Sequence, residues 1–227
     1  KLYPNNATTN SEYGVNDIKK IYNIFEILEK ENSVLLVHGE LNRNDIDIFD
    51  REKYFIDEEL TVIRKKFLKI KIILEHVSSK YGADYVNNNL NIAGTITPQH
   101  MMLTKEDVFS NESLNPHHFC MPVVKEETDL IALRNYACSG NSKFFLGTDS
   151  APHHVDLKVP DLSAKPGIFS ASCSIELYTS IFEEEKSLDQ LENFCSKNGP
   201  NFYNLPINID YIELIKYNWQ ELLCPKH

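Results

Sequence analysis

Four short runs of apolar residues, unbroken by polar alternation, constrain the fold of this chain more than any other feature of its sequence. They cover residues 33–37, 71–75, 92–96 and 143–148. Strands that are buried on both faces of a parallel sheet have this pattern, whereas strands with one solvated face alternate apolar and polar side chains. The runs therefore predict a parallel sheet covered on both faces.

The stretches between and after these runs carry apolar residues at helical spacing. Helices are predicted within Asp17–Lys30 and within the charged stretch Asp45–Lys69. A further helix with a glycine stop is predicted in residues 127–140, and two more helices in residues 173–203. Residues 104–124 are predicted to be irregular. Strands that alternate with helices in this way indicate the α/β class.

Composition narrows the classes of function. The chain has 227 residues, 42% of them hydrophobic, which is enough for one large domain or two small ones. Its net charge of −10 argues against nucleic-acid binding, because phosphate recognition needs clustered Lys and Arg. The sequence has no apolar run long enough to span a bilayer. The five scattered cysteines form no CxxC pair, which fits a reducing compartment and predicts a cytoplasmic location.

Polar residues follow three of the apolar runs. His38 ends VLLV, His76 follows IILE, and Asp149 follows FFLGT. The carboxyl ends of parallel strands meet at one face, so these side chains are predicted to converge. Each residue alone has an ordinary explanation, since a strand-end His is usually a satisfied hydrogen-bonding group and Asp commonly starts a turn. Together they are harder to explain, because burying them is costly unless a metal ion or hydrogen bonds compensate.

Two imidazoles and a carboxylate are a ligand set that suits zinc or a similar ion. The sequence contains no GxGxxG or P-loop motif that would instead indicate a nucleotide site. The residues alone therefore predict a metal-dependent hydrolase on a (β/α) barrel.

Longer blocks of the sequence resemble the bacterial-type dihydroorotases of the amidohydrolase superfamily. In chain order the blocks are KLYPNNATTNS, LLVHGE with NDIDIFDRE, LEHVSSKYGADYV, TITPQHMML, FLGTDSAPH and FCSKNGPNFYNLP. The resemblance implies a (β/α)8 TIM barrel of the metal-dependent amidohydrolase type, of which residues 1–227 form a single domain. The family's His-x-His pair and its first strand do not occur in this chain. We therefore interpret the chain as the C-terminal portion of such a barrel.

The resemblance also implies a metal centre. In the family two zinc ions are bridged by a carboxylated lysine, which corresponds here to Lys1. His38 and His76 match the ligands of one zinc ion. Asp149 matches a ligand of the other ion and also the catalytic acid/base group, which passes a proton to the leaving nitrogen.

The implied activity is that of a hydrolase acting on cyclic amide C–N bonds. Dihydroorotases catalyse the reversible, zinc-dependent cyclisation of N-carbamoyl-L-aspartate to L-dihydroorotate in de novo pyrimidine (UMP) biosynthesis. The implied partner is thus a small-molecule substrate, and the full-length protein is expected to form a homodimer. The isolated chain is expected to be inactive, because ligands and substrate-binding residues of the family are missing from it.

Five residues match substrate-binding positions of the family. The resemblance assigns Thr8 and Thr9 to a loop that closes over the site, His153 to the substrate carboxylate, and backbone groups near Met121 and Gly167 to the pyrimidine ring. The sequence departs from the family pattern next to Gly167, where Pro166 has no N–H to donate.

Two alternatives stay open at this point. The chain resembles hydantoinases in its metal ligands, although the NATT loop and the DSAPH block speak against that activity. The second alternative is a non-catalytic barrel fragment. The joint presence of Lys1, His38, His76 and Asp149 speaks against the loss of a catalytic site.

Overall fold

The apolar runs form a parallel sheet in a computed structural model of the chain, which describes residues 1–110 and 113–216. The strands are β1 (Val34–His38), β2 (Lys71–Glu75), β3 (Ile92–Ile96), β4 (Phe109–Ser110), β5 (Ser113–Leu114) and β6 (Phe144–Leu146). The four-stranded main sheet has the order β1-β2-β3-β6, and every pairing in it is parallel. The prediction of a parallel α/β sheet is therefore confirmed, although β6 is shorter than the run that predicted it.

The N-terminal residues continue the sheet beyond β1. The Leu2 N–H donates to the Leu36 carbonyl at 2.7 Å, and the His38 N–H donates to the Leu2 carbonyl at 2.9 Å. Leu2 is therefore bridged in parallel to Val37, on the side of β1 that faces away from β2. This pairing holds Lys1 beside the carboxyl end of β1.

Helices connect the strands. They are α1 (Tyr22–Lys30), α2 (Arg51–Phe55), α3 (Thr61–Lys66), α4 (Lys80–Asn88), α5 (Pro98–Met102), α6 (Lys105–Val108), α7 (Glu127–Cys138), α8 (Ser174–Glu184) and α9 (Asn198–Tyr203). A 3₁₀ turn at Ile18–Ile21 precedes α1, and a π-helical turn at Ile56–Leu60 joins α2 to α3. The predicted helix over Asp45–Lys69 thus begins at Arg51. No helix within residues 1–110 and 113–216 is long and apolar enough to cross a membrane.

The prediction that residues 104–124 are irregular is wrong in its first half. Thr104 and Asp107 form a reciprocal capping box that starts α6, because each side chain accepts a hydrogen bond from the other residue's backbone N–H. An antiparallel pair, β4 with β5, follows this helix, with Phe109 opposite Leu114. The short-range capping signal was present in the sequence, but the apolar periodicity was too short to reveal a helix.

The sheet buries both of its faces. On one face the helices cover Leu35, Val37 and their neighbours, in a core whose largest side chains are Phe25, Phe55, Phe144, Tyr178, Phe182 and Phe194. The other face carries a smaller apolar cluster of Val34, Leu36, Ile73, Ala93 and Phe145, against which Phe202 and Tyr203 pack. Side chains alternate between the two faces along a strand, so His38 lies on the same face as Leu36, at its carboxyl end.

Candidate metal and catalytic site

His38 and His76 meet at the carboxyl edge of the sheet. The His38 Nδ1 and the His76 Nε2 lie 3.0 Å apart, and the two ring centroids are separated by 4.6 Å at an angle of 67°. Both residues are buried, with 2% and 3% of their surface exposed. The structure therefore brings together the two imidazoles that the sequence places at the ends of β1 and β2.

Backbone conformation at His76 makes this meeting possible. His38 lies opposite Glu75 in the sheet, and His76 is the next residue after Glu75. Strict alternation would therefore turn the His76 side chain to the opposite face from that of His38. His76 instead has a φ of +44°, in the left-handed region that non-glycine residues seldom adopt. Its N–H donates to Thr95 Oγ1 of β3 at 2.8 Å, which holds this conformation. Backbone strain of this kind is found most often at functional sites.

The electrostatic surroundings of His76 favour a neutral ring. Burial lowers the pKa of His76 well below its usual value, and the nearby charges of His38, Lys1 and His100 lower it further. A neutral imidazole is the form that binds metal ions. The His76 Nδ1 is buried and has no hydrogen-bond partner among the residues that the structure describes.

Glu40 completes the immediate surroundings of His38. Its Oε2 lies 2.9 Å from the His38 Nε2, and the residue is fully buried. The apolar pattern of LLVHGE predicts the end of a strand and does not indicate a role for Glu40. The sequence signal that could have indicated one is its position two residues after the candidate ligand His38.

Lys1 lies at the same edge but has a different partner from the one its family assignment implies. Its ammonium group forms an ion pair with the Glu75 carboxylate and lies 4.9 Å from the centroid of the Tyr3 ring. Burial lowers the pKa of Lys1, but the hydrogen bond and charge of Glu75 outweigh this effect, so the pKa is raised overall. Carboxylation needs the neutral amine, so this ion pair must break before Lys1 can be carboxylated.

Asp149 lies near this group at the end of the β6 segment. It also has a φ of +44°, and its residue surface is exposed in this chain. Enough protein surrounds its carboxyl group that burial raises the pKa, while the charges of Lys1 and His38 lower it and that of Glu75 raises it. The exposed surface and the raised pKa together describe a carboxyl group at the open side of the site.

The two imidazoles are suitably arranged for a metal ion. A tetrahedral zinc ion with Zn–N bonds of about 2.0–2.1 Å separates its nitrogen ligands by roughly 3.3 Å, close to the distance seen between His38 and His76. Lys1 would have to supply the next ligand. Within residues 1–110 and 113–216, no group of three or more His, Cys, Asp or Glu side chains is arranged to hold an ion.

The loop with Thr8 and Thr9 is held by hydrogen bonds within it and by one from the segment that follows β1. The Thr8 N–H donates to Ser11 Oγ at 2.9 Å, and Asn42 Nδ2 donates to the Asn6 carbonyl. Thr9 Oγ1 is buried and has no partner in the described part of the chain. No contact joins either threonine to the imidazole pair in the described structure, so their role in substrate binding stays a prediction.

Met121, His153 and Gly167 belong to a second group. The Gly167 N–H donates to the Phe119 carbonyl at 2.8 Å, and His153 Nε2 lies 3.0 Å from the Pro166 carbonyl. Gly167 has a φ of +154°, and a Cβ there would lie 2.5 Å from the Ala151 carbonyl oxygen, so only glycine fits. The N–H next to the Pro166 departure is thus already used within the protein.

Lys158 ties this second group together and was also missed from sequence. Its Nζ donates to the Lys165 carbonyl at 3.0 Å and to the Gly167 carbonyl at 2.8 Å. Cys120, next to Met121, is buried, and its thiol donates to the Pro122 carbonyl at 3.3 Å. Burial raises the pKa of its thiol to about 12, and the charges of Asp149 and Glu40 add to this effect.

A buried polar network supports the chain just after His76. Glu52 accepts hydrogen bonds from the Ser78 N–H and hydroxyl, both at 2.8 Å, and from the Ser79 hydroxyl. Lys125 donates to the Ser78 hydroxyl at 2.6 Å. Burial raises the pKa of Glu52, whereas the Lys125 charge and these hydrogen bonds lower it. The network thus ties the turn that follows His76 to the segment that precedes α7.

His100 is a buried residue of α5 that joins two segments next to the site. Its Nδ1 lies 2.7 Å from Thr97 Oγ1, and its Nε2 lies 2.9 Å from the Pro122 carbonyl, to which it donates. Burial lowers the pKa of His100 to about 3, and the Lys125 charge lowers it further. The neutral ring thus connects α5 to the segment that contains Met121.

Comparison with known proteins identifies relatives over almost the whole chain. The dihydroorotase of Buchnera aphidicola subsp. Schizaphis graminum is 47% identical over 218 residues, which are 95% of this chain and 62% of that protein. The dihydroorotase of Aliivibrio salmonicida is 48% identical over 220 residues, 96% of this chain and 64% of that protein. The chain thus spans less than two thirds of the length of these relatives. No family model matches it.

Solved structures agree with this result. The Saccharomyces cerevisiae dihydroorotase, in complex with 5-fluoroorotic acid, superposes with a TM-score of 0.82 at 36% identity, covering 90% of this chain and 60% of that one. The Campylobacter jejuni dihydroorotase gives 0.80 at 35% identity, covering 90% and 58%. The Arthrobacter aurescens L-hydantoinase gives 0.74 at 17% identity, covering 89% and 50%, a likeness of fold alone. The expected fold, part of an amidohydrolase TIM barrel, is confirmed.

The His100 environment predicts how stability depends on pH. Its folded-state pKa of about 3 lies below the ordinary value of 6.5, so the unfolded chain binds more protons between these values and stability falls as the pH is lowered from 7. From pH 7 to pH 5 the wild type should lose about 2 kcal/mol more unfolding free energy than His100→Gln. Urea denaturation at both pH values measures this difference. The exposed His117→Gln is the control and should follow the wild type; equal losses in all three proteins would contradict the prediction.

Proposed function

Because this chain is related to the dihydroorotases over almost its whole length, we propose that it is the metal-binding and proton-transferring part of a dihydroorotase. The proposed reaction is the reversible cyclisation of N-carbamoyl-L-aspartate to L-dihydroorotate. The observation that carries the proposal is the 3.0 Å approach of His38 Nδ1 and His76 Nε2, at the edge that also holds Lys1 and Asp149. The relatives' names supply the substrate class, and this geometry supports the same chemistry here.

In this proposal His38 and His76 hold a metal ion, and Lys1 supplies a further ligand once it is carboxylated. Such an ion, when bound, polarises the amide carbonyl and activates water. The protein's own contribution is to keep the His76 imidazole neutral and both imidazoles oriented. Burial lowers the pKa of His76, which favours its neutral form, and the buried Glu40 beside His38 orients the His38 ring.

Asp149 is proposed as the group that moves the proton. The reaction needs a carboxyl group that accepts a proton and then delivers it to the leaving nitrogen. Burial of Asp149 raises its pKa, which makes the carboxylate a better proton acceptor, while the Lys1 and His38 charges oppose full protonation. Its exposed side gives a substrate access to the carboxyl group.

Substrate binding is proposed at Thr8, Thr9, Met121, His153 and Gly167. The buried, unpartnered Thr9 Oγ1 supports a role for the NATT loop, since buried hydroxyl groups ordinarily have partners. At Gly167 the proposal is limited to the carbonyl. The single N–H already donates to Phe119, whereas the carbonyl, which accepts from Lys158 Nζ, has a second lone pair.

Finer features of the proposal come from the family resemblance. They are zinc as the metal, two ions bridged by carboxylated Lys1, a homodimeric full-length protein and a cytoplasmic location. We also propose that residues 1–227 are one domain. The main core supports this, because its members come from both ends of the described chain, from Leu2 to Phe194.

One prediction of this proposal concerns Asp149→Asn in a full-length dihydroorotase that carries these 227 residues. The amide cannot shuttle a proton and is a poor metal ligand, so turnover of dihydroorotate should fall by at least about 100-fold while the fold is kept. Ring opening is followed by ultraviolet absorbance, and circular dichroism reports the fold. The exposed Asp156→Asn serves as the matched control and should keep its activity.

The same assay separates the proposed activity from its alternative. Wild-type protein should open dihydroorotate much faster than hydantoin. Faster opening of hydantoin would favour the hydantoinase alternative, and near-native activity of Asp149→Asn would remove this residue from the mechanism.

A further prediction concerns Thr8→Ala combined with Thr9→Ala. The loop is polar and contributes little to the core, so the free energy of unfolding should change by less than about 1 kcal/mol. Turnover should fall markedly if the loop holds the ring and excludes water. Thr61→Ala provides the control, because Thr61 begins α3 and its hydroxyl contacts Tyr85. A turnover rate unchanged by the double substitution would reduce the NATT segment to an ordinary loop.

A further inference from the structure

We propose that Glu40 is a positioning residue that fixes His38 in the one tautomer able to bind a metal ion through Nδ1. The inference rests on the metal site proposed above and adds a residue to it. In this arrangement Glu40 accepts the Nε2 proton of His38. The Nδ1 lone pair is then directed at His76 and at the place between the two rings.

The first step of the argument is the direction of the hydrogen bond. A carboxylate only accepts, so the 2.9 Å contact between Glu40 Oε2 and His38 Nε2 requires the proton on Nε2. A neutral imidazole carries one N–H, so Nδ1 is left as an acceptor. Ligand histidines commonly have their second nitrogen bound to a carboxylate in this way, which fixes both tautomer and ring orientation.

The second step is that Glu40 does not owe its buried position to a contribution to the stability of the fold. The residue is fully buried, and its Oε1 has no partner among the described residues. In the described part of the chain, the ion pairs of Glu40 are limited to His38. A buried carboxylate with so few compensating contacts costs stability, so its presence points to a function at the imidazole it contacts.

The third step is the contrast with His76. His38 Nδ1 accepts, so His76 Nε2 must donate across the 3.0 Å contact in the metal-free chain. The other nitrogen of His76 has no partner within residues 1–110 and 113–216. His76 is held through its backbone instead, by its left-handed conformation and its N–H bond to Thr95. Of the two candidate ligands, His38 is therefore the one whose ring nitrogen contacts a carboxylate.

Nuclear magnetic resonance of the metal-free 227-residue chain tests the proposal directly. Long-range proton–nitrogen spectra of the histidine-labelled protein, with His38 assigned by its loss in His38→Gln, report which ring nitrogen carries the proton. We expect the Nε2–H form in the wild type. A His38 ring protonated at Nδ1, or mixed between both forms, would overturn the proposal.

Variants of Glu40 provide the second readout. Glu40→Gln keeps an acceptor and should retain the Nε2–H form, whereas Glu40→Leu removes it and should give a mixture of tautomers. The exposed Glu26→Leu on α1 is the matched control and should leave the His38 signals unchanged. An unmixed Nε2–H form in a folded Glu40→Leu would overturn the proposal, and if that variant does not fold, the wild-type spectrum still decides.

Zinc titration separates this inference from the proposed function. Glu40→Leu should bind zinc about 10- to 100-fold more weakly than the wild type, and Glu40→Gln should lie between them. A wild-type chain that binds no zinc would count against the proposed metal site, while the tautomer of His38 would still test Glu40. Zinc binding equal in the wild type and Glu40→Leu would overturn the role of Glu40.

Discussion

The parallel register between β1 and β2 is the constraint on which the rest of the site depends. It sets His38 opposite Glu75, so that the next residue, His76, is within reach of the His38 ring. Helices and side chains bury both faces of the sheet, which prevents a slip of register, because a one-residue slip would turn every core side chain to the wrong face. The pairing of Leu2 with β1 then brings Lys1 to the same edge. The packing of the sheet thus determines where His38, His76 and Lys1 lie relative to one another.

Polar groups at this edge surround the imidazole pair, some in direct contact with it and others farther away. Glu40 contacts His38 directly, Thr95 holds the backbone of His76, and the Glu52–Ser78–Lys125 network anchors the turn that follows. Buried polar groups are costly when unpaired, so a connected network favours one arrangement over its alternatives. These contacts explain how an edge with strained backbone at His76 keeps a defined geometry.

Sequence patterns predicted the elements that depend on long apolar runs. The strands β1, β2 and β3 and the convergence of His38 with His76 followed from run length and strand-end position. Helix α6 could not be predicted in this way, because it is too short for periodicity to appear. Glu40, Lys125 and Lys158 also escaped prediction, because their roles depend on contacts between segments distant in sequence or on side-chain direction, which apolar patterning does not encode. The Lys1 ion pair with Glu75 was missed for the same reason.

Zinc binding to the 227-residue chain and to two single variants tests the central claim, that two strand ends form one metal position. Isothermal titration should show a zinc site in the wild type that is lost in His38→Ala and equally in His76→Ala, because each supplies one of two facing nitrogens. His117→Ala, at an exposed position, should bind as the wild type does. Wild-type affinity in both His38→Ala and His76→Ala would contradict the account.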